Sequence, residues 1–458
     1  MQAEESVGVC VIGGGPAGMI AAGRAAELGA DVVLLEKNPR PGRKLLMTGG
    51  GRCNVTNAEF RRHVLVEKYG PRGESLHSLF ARFGPADLIG FLAARGLGVV
   101  IEDDNRVFPE THSAASVLEV LTRYMADGGV RVRTAAAVVG LEADRADDER
   151  ARQAAGIDTA AGAGGPRAAR VSGVRVGGAL IRARKVILAT GGLSRPETGS
   201  SGDGLRWLAA LGHAVRYPEP SLVPVRVEEE WIGRLQGLAI PDARLTALPP
   251  TPSGVEDRSG PRRRSGVQLS ERGKLLFTHF GLSGPLVLNM SSRISELAHE
   301  AGAADERVRL LVDLMPATDH GSLDQIIRDA ISAAPNRKVR NTLPGAIPAR
   351  LSPVLLELAR VDPDLPANSL RREARHEIVQ LMKALPLTFA GVLGTEKAVV
   401  TSGGVALDEI DFRTMQSRLY ENLYFAGDIL DFDRRSGGYS LQICWSSGWV
   451  AGSAAAAP

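Results

Sequence analysis

Near its start the chain reads Val9-Cys10-Val11-Ile12-Gly13-Gly14-Gly15-Pro16-Ala17-Gly18, followed by the alanine-rich stretch Met19 to Leu28. The first four residues predict a short buried strand, and the alanine-rich stretch predicts a helix. Between them, Gly13 would make a tight turn, Gly15 would leave the backbone open to a pyrophosphate, and Gly18 would let helix and strand pack closely. The positive end of the helix would face the phosphates. This stretch therefore predicts a strand, turn and helix that bind a dinucleotide.

The next apolar run, Val32 to Leu35, ends at Glu36. This is close to the ~20-residue distance at which an acidic side chain meets the adenosine ribose in such units. A 2′-phosphate at this place would put two negative charges ~4 Å apart, a repulsion of ~4 kcal/mol at an effective dielectric constant of ~20. NADP is therefore disfavoured at this site, which leaves FAD or NAD.

The bulk composition is that of an ordinary globular protein. The 458 residues are 44% hydrophobic and 23% charged, and at ~150 residues per domain this length predicts about three domains. The formal net charge of +3 is too small to indicate a nucleic-acid partner. No apolar run reaches the ~18 residues that span a bilayer, and the acidic start, Met1 to Glu5, is unlike a basic secretory signal. We therefore predict a cytoplasmic protein with neither a nucleic acid nor a membrane as partner.

The three cysteines, Cys10, Cys53 and Cys444, are too few and too scattered for a disulfide framework or a Cys-x-x-Cys site. Their number fits a reducing compartment. We predict no metal site.

The pattern of elements changes along the chain. Short β-like runs separated by Pro and Gly recur from Val223 to Leu314 and predict a small barrel, and the stretches Leu323 to Ala333, Pro353 to Ala359 and Ser369 to Leu385 look helical. Loops are predicted at Ala143 to Arg170 and Thr251 to Arg264. The prediction is an α/β fold in which a discontinuous Rossmann-type domain (1–195 and 400–458) carries an inserted β-barrel domain (196–320 and 386–399) and a small α-helical subdomain (321–385).

Close to the end of the chain, the apolar strand Leu423 to Ala426 leads into Gly427-Asp428. Ligands of open parallel sheets bind at the carboxyl ends of strands, so Asp428 could accept a hydrogen bond from a ribityl hydroxyl. The alternative is a turn-forming aspartate. A helix that begins near Gly437-Gly438-Tyr439 would point its positive end at a ligand bound by Asp428. If that ligand is a flavin, the positive end would favour its negatively charged reduced state.

Three segments carry a resemblance to a known family. They are Lys44 to Asn57 (KLLMTGGGRCNVTN), Phe277 to Pro285 (FTHFGLSGP), and Tyr424 to Asp428 (YFAGD) with Gly437-Gly438-Tyr439 and Trp445 to Gly448 (WSSG). Over nearly its whole length the chain resembles the BaiN-like family of bacterial Rossmann flavoproteins, which are NAD(P)/FAD-dependent oxidoreductases. The resemblance implies bound FAD, an inserted barrel and helical subdomain, and reductase chemistry on small unsaturated or ketone-bearing molecules.

The resemblance also implies which residues hold FAD. The glycine stretch would bind the pyrophosphate, Glu36 the adenosine ribose, and Val138 the adenine through its backbone. The full predicted set is Gly13, Gly14, Gly15, Pro16, Ala17, Gly18, Glu36, Lys37, Arg43, Lys44, Gly50, Gly51, Arg52, Cys53, Asn54, Val138, Thr190, Gly191, Gly427, Asp428, Gly438, Ser440, Leu441 and Gln442. The sequence departs from the common family pattern at Arg434-Arg435, where relatives often have Gly-Tyr, and at Ser440, where they often have Asn.

Two residues are candidates for catalysis, because a flavin transfers hydride by itself and the protein needs mainly to position it and supply a proton. His279 suits proton transfer near neutral pH, although it could instead be a structural residue beside a helix that Ser283 caps. Cys53 could react as a thiolate with flavin or with an electrophilic enone, although a small packing residue is the commoner role of a cysteine.

The leading hypothesis is an FAD-dependent reductase that passes hydride from NAD(P)H through FAD to a small organic acceptor. A second Gly-x-Gly-x-x-Gly after a strand is missing from the sequence, so NAD(P)H would bind only transiently or another donor would serve. One alternative is a flavoprotein that acts on RNA, supported by Arg262-Arg263-Arg264. Another is a flavin-bound sensor or interaction protein without turnover.

Overall fold

The computed structural model describes residues 5–144, 169–249, 268–300, 307–342, 349–393 and 400–457. The greater part of the predicted loop at Ala143 to Arg170 and all of the loop at Thr251 to Arg264, with its three consecutive arginines, lie outside the described residues. The chain forms two compact units, Met1–Pro220 with Val399–Pro458, and Ser221–Ala398.

The elements of the described residues follow in chain order. The strands are β1 (Glu5–Ile12), β2 (Val32–Leu35), β3 (Thr56–Asn57), β4 (Val99–Glu102), β5 (Arg106–Pro109), β6 (Arg131–Arg133), β7 (Val138–Asp144), β8 (Arg170–Val176), β9 (Ala179–Leu188), β10 (Val215–Ser221), β11 (Val225–Val227), β12 (Ala239–Leu248), β13 (Leu269–Phe277), β14 (Gly281–Ser283), β15 (Arg309–Asp313), β16 (Leu385–Val392), β17 (Val400–Val405), β18 (Ile410–Asp411), β19 (Gln416–Ser417) and β20 (Leu423–Phe425). The helices are α1 (Pro16–Glu27), α2 (Arg62–Glu67), α3 (His77–Arg82), α4 (Pro85–Ala93), α5 (Ala114–Asp127), α6 (Asp203–Ala210), α7 (Pro285–Glu300), α8 (His320–Ala333), α9 (Ser352–Leu358), α10 (Arg372–Lys383) and α11 (Tyr439–Ala456).

The first unit is built on a mixed sheet with the strand order β18-β19-β20-β9-β1-β2-β6, to which β7 and β8 attach beside β9. Strand β1 lies between two parallel neighbours, β2 and β9, and β20 runs parallel to β9. The strand β2 and the carboxyl-terminal parts of β1 and β9 are apolar and buried, as expected where both faces of a sheet are covered. Since β20 joins β9 in register, the carboxyl ends of β1, β9 and β20 meet at one edge of the sheet.

The last helix of the chain packs closely against the first. On α11, a Cβ on Gly448 or Gly452 would overlap the backbone carbonyl oxygen of Ala17 or Ala21 on α1. Glycine at these positions therefore lets the two helix backbones approach each other. This packing brings the beginning and the end of the chain together in one unit.

The second unit contains a closed barrel with the strand order β11-β14-β13-β12-β15-β16. Its interior is apolar, with Val225, Leu245, Phe277, Leu310 and Leu387 buried. Helix α7 packs on β13, and α8, α9 and α10 form a helical layer of the same unit. These elements confirm the predicted α/β fold class with its barrel and helical part.

Residues 196–220, predicted to begin the barrel domain, lie in the first unit. The reason is that their strand β10 pairs with β17, and β17 belongs to the first unit. The helices predicted as a separate subdomain belong to the same compact unit as the barrel. In the part of the chain that the structure describes, no helix combines the length and the apolar character needed to cross a membrane.

Candidate functional site

The three spaced glycines of the first turn have three different surroundings. Gly13 has a φ of 108°, and a Cβ there would overlap the carbonyl oxygen of Ala189 at the end of β9. A Cβ on Gly18 would overlap the carbonyl oxygen of Gly13. On Gly15, by contrast, a Cβ would meet nothing within 4 Å. Gly13 and Gly18 therefore serve the packing of strand and helix, and Gly15 faces open space that a ligand can fill.

That open space lies at the beginning of α1. The helix has 12 residues, its N-cap is Gly15, no side chain caps it, and its first turn contains no acidic residue. The first N–H groups of a helix have no partner within the helix and attract anions. The turn therefore fits the pyrophosphate of a dinucleotide, which supports the predicted role of Gly13 to Gly18.

Glu36 stands at the carboxyl end of β2 and is buried. Its Oε2 accepts from the backbone N–H of Gly14 at 2.7 Å, and its Oε1 accepts from the backbone N–H and the Nδ2 of Asn38 at 2.7 and 2.6 Å. A carboxylate offers about four acceptor positions, so three protein donors leave room for roughly one ribose hydroxyl. Glu36 therefore ties the glycine turn to the second strand as well as facing the ligand.

These groups line a pocket of the first unit with an empty volume of about 1130 Å³, part of it open to solvent. It extends from the glycine turn and Glu36 to Asp428 and the first turn of α11, so it suits a long ligand. The lining residues are Ile12, Gly13, Gly14, Gly15, Pro16, Ala17, Leu35, Glu36, Lys37, Asn38, Gly42, Arg43, Lys44, Leu45, Thr48, Ala136, Val138, Ala189, Thr190, Gly191, Thr198, Gly199, Ser200, Asp203, Trp207, Ala426, Asp428, Ser440, Leu441 and Cys444. Among them, Thr190 has a buried hydroxyl with no hydrogen-bond partner in the described residues, as expected where a polar ligand binds.

One wall of the pocket, formed by residues between 198 and 203 after β9, is absent from the predicted set. Lys37 Nζ lies 2.5 Å from Ser201 Oγ and 2.8 Å from Asp203 Oδ2, and Asn38 Nδ2 donates to the carbonyl of Thr198 at 2.9 Å. These bonds fasten the wall to the chain that follows Glu36. One signal could have found it, since the segment follows the carboxyl end of a predicted strand, where ligands of such sheets bind.

At the other end of the pocket, Asp428 lies between two cations. Lys44 Nζ is 3.4 Å from Asp428 Oδ2, and Arg434 NH1 is 3.1 Å from Asp428 Oδ1. Burial by itself would raise the pKa of this carboxyl, but the charges of Arg434 and Lys44 outweigh burial and hold the pKa below its ordinary value. Asp428 is therefore an anion at neutral pH. Helix α11 begins beside it, and Ser440 and Leu441 of its first turn line the pocket.

Some predicted cofactor residues lie outside the pocket lining. Gln442 is fully buried and its Oε1 accepts from Thr56 Oγ1 at 2.5 Å. Arg52 is paired with Glu102 at 2.7 Å, and its guanidinium stacks 4.1 Å from the centre of the Phe108 ring. The others that the lining does not include are Gly18, Gly50, Gly51, Cys53, Asn54, Gly427 and Gly438.

Cys53 belongs to a strained turn. The turn follows Thr48, which lines the pocket. In it, Gly49, Gly50, Gly51 and Cys53 all have positive φ values, between 56° and 87°. Burial raises the pKa of the Cys53 thiol to about 12, with a hydrogen bond from Thr48 acting against it. At neutral pH this group is a neutral thiol, which favours a packing role over a nucleophilic one. Its catalytic role stays a prediction.

His279 lies in the second unit, in the tight turn between β13 and β14. The turn is closed by the N–H of Thr278, which donates to the carbonyl of Gly281 at 2.8 Å, and the His279 ring packs edge-on against Phe280. The helix expected beside this turn is α7, which begins at Pro285, two residues after Ser283 at the end of β14. Catalysis by His279 stays a prediction.

Comparison with known proteins places this pocket in context. A model of the family described as HI0933-like protein Rossmann domain matches residues 7–454. The 3-dehydro-bile acid delta(4,6)-reductase of Clostridium scindens is 28% identical over 448 residues, which cover 97% of this chain and 98% of that protein. The ribosomal RNA dihydrouridine synthase of Escherichia coli is 30% identical over 443 residues, which cover 96% of each protein.

Among solved structures, 3-ketosteroid delta1-dehydrogenase from Sterolibacterium denitrificans superposes with a TM-score of 0.51 at 12% identity, covering 99% of each chain. At this identity the likeness concerns the fold alone. The comparisons confirm the family resemblance seen in the sequence.

Proposed function

This chain belongs to the HI0933-like Rossmann family and is an oxidoreductase, and we propose that it uses FAD to reduce a carbon–carbon double bond conjugated to a carbonyl group. The observation that carries the proposal is the pocket of the first unit, in which the glycine turn and Glu36 from the start of the chain face Asp428 and α11 from its end. Such a pocket suits one long dinucleotide better than two separate small ligands.

The residues present fit FAD along the whole pocket. The uncapped start of α1 would hold the pyrophosphate, and the remaining acceptor capacity of Glu36 would hold the adenosine ribose. Trp207 and Val138, which also line the pocket, would cover the adenine. Bound FAD would supply hydride transfer. Asp428, kept anionic by its two cations, would accept a hydrogen bond from the ribityl chain.

The substrate chemistry is supported by what two relatives are named for. One is named for reducing delta(4,6) bonds of a 3-dehydro-bile acid, and the other for making dihydrouridine in ribosomal RNA. A 3-keto compound with such double bonds and the uracil ring share one feature, a carbon–carbon double bond conjugated to a carbonyl. Hydride adds to the carbon remote from the carbonyl, and a proton then completes the saturation. His279 is our candidate for the proton donor.

We favour a small enone as the substrate, with NAD(P)H as a transient electron donor and the cytoplasm as the location. A second candidate is uridine in ribosomal RNA, because the Escherichia coli relative is 30% identical over 96% of this chain. The two candidates need the same pocket for FAD and differ only in what approaches it.

The test begins with the purified protein. Its coloured ligand is identified by mass spectrometry, and bleaching is followed without oxygen after addition of NADH or NADPH. The reduced protein is then mixed with a 3-keto-delta4 steroid, with the saturated ketone as a matched control, or with ribosomal RNA transcribed in vitro, which contains no dihydrouridine.

We expect the colour to return with one unsaturated substrate and a product heavier by two hydrogen atoms. Recovery with the steroid alone supports the small enone, and recovery with RNA alone supports the second candidate. A protein that takes up no FAD, or reduced protein that reacts with neither acceptor, would overturn the proposal.

A further inference from the structure

Arg434 is a completely buried cation at the Asp428 end of the pocket. Its side chain has no exposed surface, and its NH1 lies 3.1 Å from Asp428 Oδ1. Lys44 Nζ approaches the other carboxylate oxygen at 3.4 Å and is also 2.5 Å from Ser194 Oγ. Burial of a charge costs several kcal/mol unless it is paired. One carboxylate is thus shared by two cations, and the group of three carries a net charge of +1.

Among the described residues, two further ionisable groups that feel the charge of Arg434, Cys444 and Tyr69, add no negative charge. Burial raises the pKa values of the Cys444 thiol and the Tyr69 hydroxyl, so both are neutral at physiological pH even though Arg434 acts in the opposite direction. Burial likewise raises the pKa of Tyr439 to about 12. Asp431, on the same segment as Arg434, is paired with Arg72 instead. The beginning of α11 adds partial positive charge.

Hydrogen bonds to the backbone of the residues after Arg434 fix the segment that carries it. The N–H of Arg435 donates to the carbonyl of Lys68 at 3.2 Å, and Asn57 Nδ2 donates to the carbonyl of Gly437 at 3.2 Å. Lys44 and Asp428 line the pocket, whereas the buried Arg434 lies behind Asp428. Arg434 therefore acts on a ligand through its charge and through Asp428, and not by contact.

We propose that Arg434 is a positioning residue whose buried positive charge makes bound FAD easier to reduce. The proposal rests on the proposed function, because it takes the flavin to lie at the end opposite Glu36. FAD takes up two electrons and one proton to give a reduced form with one negative charge. A fixed positive charge stabilises that form relative to the neutral oxidised form.

The test measures the reduction potential of FAD bound at saturation, by titration with a dye of known potential. Arg434→Met removes the charge and keeps much of the side-chain length, and Arg434→Lys restores the charge. Arg435→Met is the matched control, since it removes a neighbouring cation that is exposed.

For Arg434→Met we expect the ratio of reduced to oxidised flavin at a fixed potential to fall about tenfold, which for two electrons is a shift of about 30 mV to more negative potential. The pH at which the reduced flavin loses its ring proton should rise. Arg434→Lys should lie near the wild type, and Arg435→Met should change the ratio less than about twofold.

A second pair of variants covers the case that Arg434→Met does not fold. Asp428→Asn and the double variant Asp428→Asn/Arg434→Met differ only in Arg434, and the double variant restores the net charge of +1. We expect the potential of Asp428→Asn to lie above that of the double variant.

Equal potentials of the wild type and Arg434→Met, or of Arg434→Lys and Arg434→Met, would refute the inference. If the wild type binds FAD and reduces its substrate but the potentials are equal, only the role of Arg434 is refuted. A protein that binds no FAD refutes the proposed function itself.

Discussion

Each end of the pocket contains a carboxylate, that of Glu36 buried and that of Asp428 13% exposed, and the protein holds the two in different ways. Glu36 accepts three hydrogen bonds, two of them from backbone N–H groups of Gly14 and Asn38. Asp428 is held by the full charges of Arg434 and Lys44. The Glu36 end therefore depends on the path of the backbone, and the Asp428 end depends on a balance of side-chain charges.

The largest effect is expected where that balance is broken. Asp428→Asn removes the negative charge that Asp428 places beside the buried Arg434, so the free energy of unfolding of the FAD-free protein should fall by about 3–5 kcal/mol. Unfolding in guanidinium chloride measures this. The double variant Asp428→Asn/Arg434→Met removes both charges and should recover a large part of the loss. Equal stability of the single and double variants would show that the pair does not behave as a buried ion pair.

The backbone at the Glu36 end is tested by two alanine variants in one turn. Gly18→Ala puts a Cβ into the Gly13 carbonyl, so stability should fall by about 3 kcal/mol. Gly15→Ala, with open space around its Cβ, should leave stability unchanged and weaken FAD binding about tenfold. Unfolding curves and flavin fluorescence titrations separate the two effects. Similar losses of stability in both variants would contradict the division of roles among the glycines.

Glu36→Gln tests whether hydrogen bonds alone hold this end. The amide has one acceptor oxygen, and its NH2 group would face the N–H of Gly14 or of Asn38, so stability should fall by about 2 kcal/mol. Glu119→Gln is the surface control, because Glu119 forms an exposed pair with Arg123 and should cost less than about 0.5 kcal/mol. If Glu36→Gln costs no more than the control in chemical unfolding, the bonds to Glu36 are not essential.

The pH dependence of the free energy of unfolding gives a further test of the Asp428 end. Because the pKa of Asp428 is lower in the folded protein than in the unfolded chain, its stabilising contribution is complete above about pH 4 and is lost as pH falls through the folded value. The stability gap between wild type and Asp428→Asn should be constant from pH 7 to about pH 4. Below that it should narrow by up to about 1.4 kcal/mol per pH unit. A gap that already narrows between pH 7 and 5, measured by urea unfolding, would contradict the ion-pair description.

The smallest effect is expected for Cys53→Ser. With a thiol pKa of about 12, Cys53 is neutral at pH 7, and a hydroxyl of similar size should keep turnover within about twofold. Stopped-flow reoxidation of the reduced protein by substrate measures this. A tenfold loss of rate with FAD still bound would restore Cys53 as a catalytic candidate.

Local patterns in the sequence were sufficient for several parts of the site. The glycine turn, Glu36 and the Gly427-Asp428 pair all follow the carboxyl ends of strands that are recognisable as apolar runs, and a parallel sheet brings such ends to one edge. Helix and strand boundaries were harder. Helices α3 and α4, for example, are separated by only two residues, and Gly84-Pro85 marks the break between them.

Other parts depended on contacts between distant residues. Nothing near Gln442 in the sequence shows that it bonds Thr56 instead of facing the ligand, and nothing near Lys37 shows its partner Asp203, 166 positions away. Arg52 lies in the predicted flavin loop but is drawn aside by Glu102 and Phe108.

The sequence by itself determined the dinucleotide turn, the acidic residue after the second strand and the class of fold, because each is written in the order and spacing of neighbouring residues. Only the tertiary structure decided which polar side chains face the pocket and which support it from behind. The physical reason is that a buried charge needs a partner close to it in space, and the tertiary structure places Arg434 NH1 3.1 Å from Asp428 Oδ1.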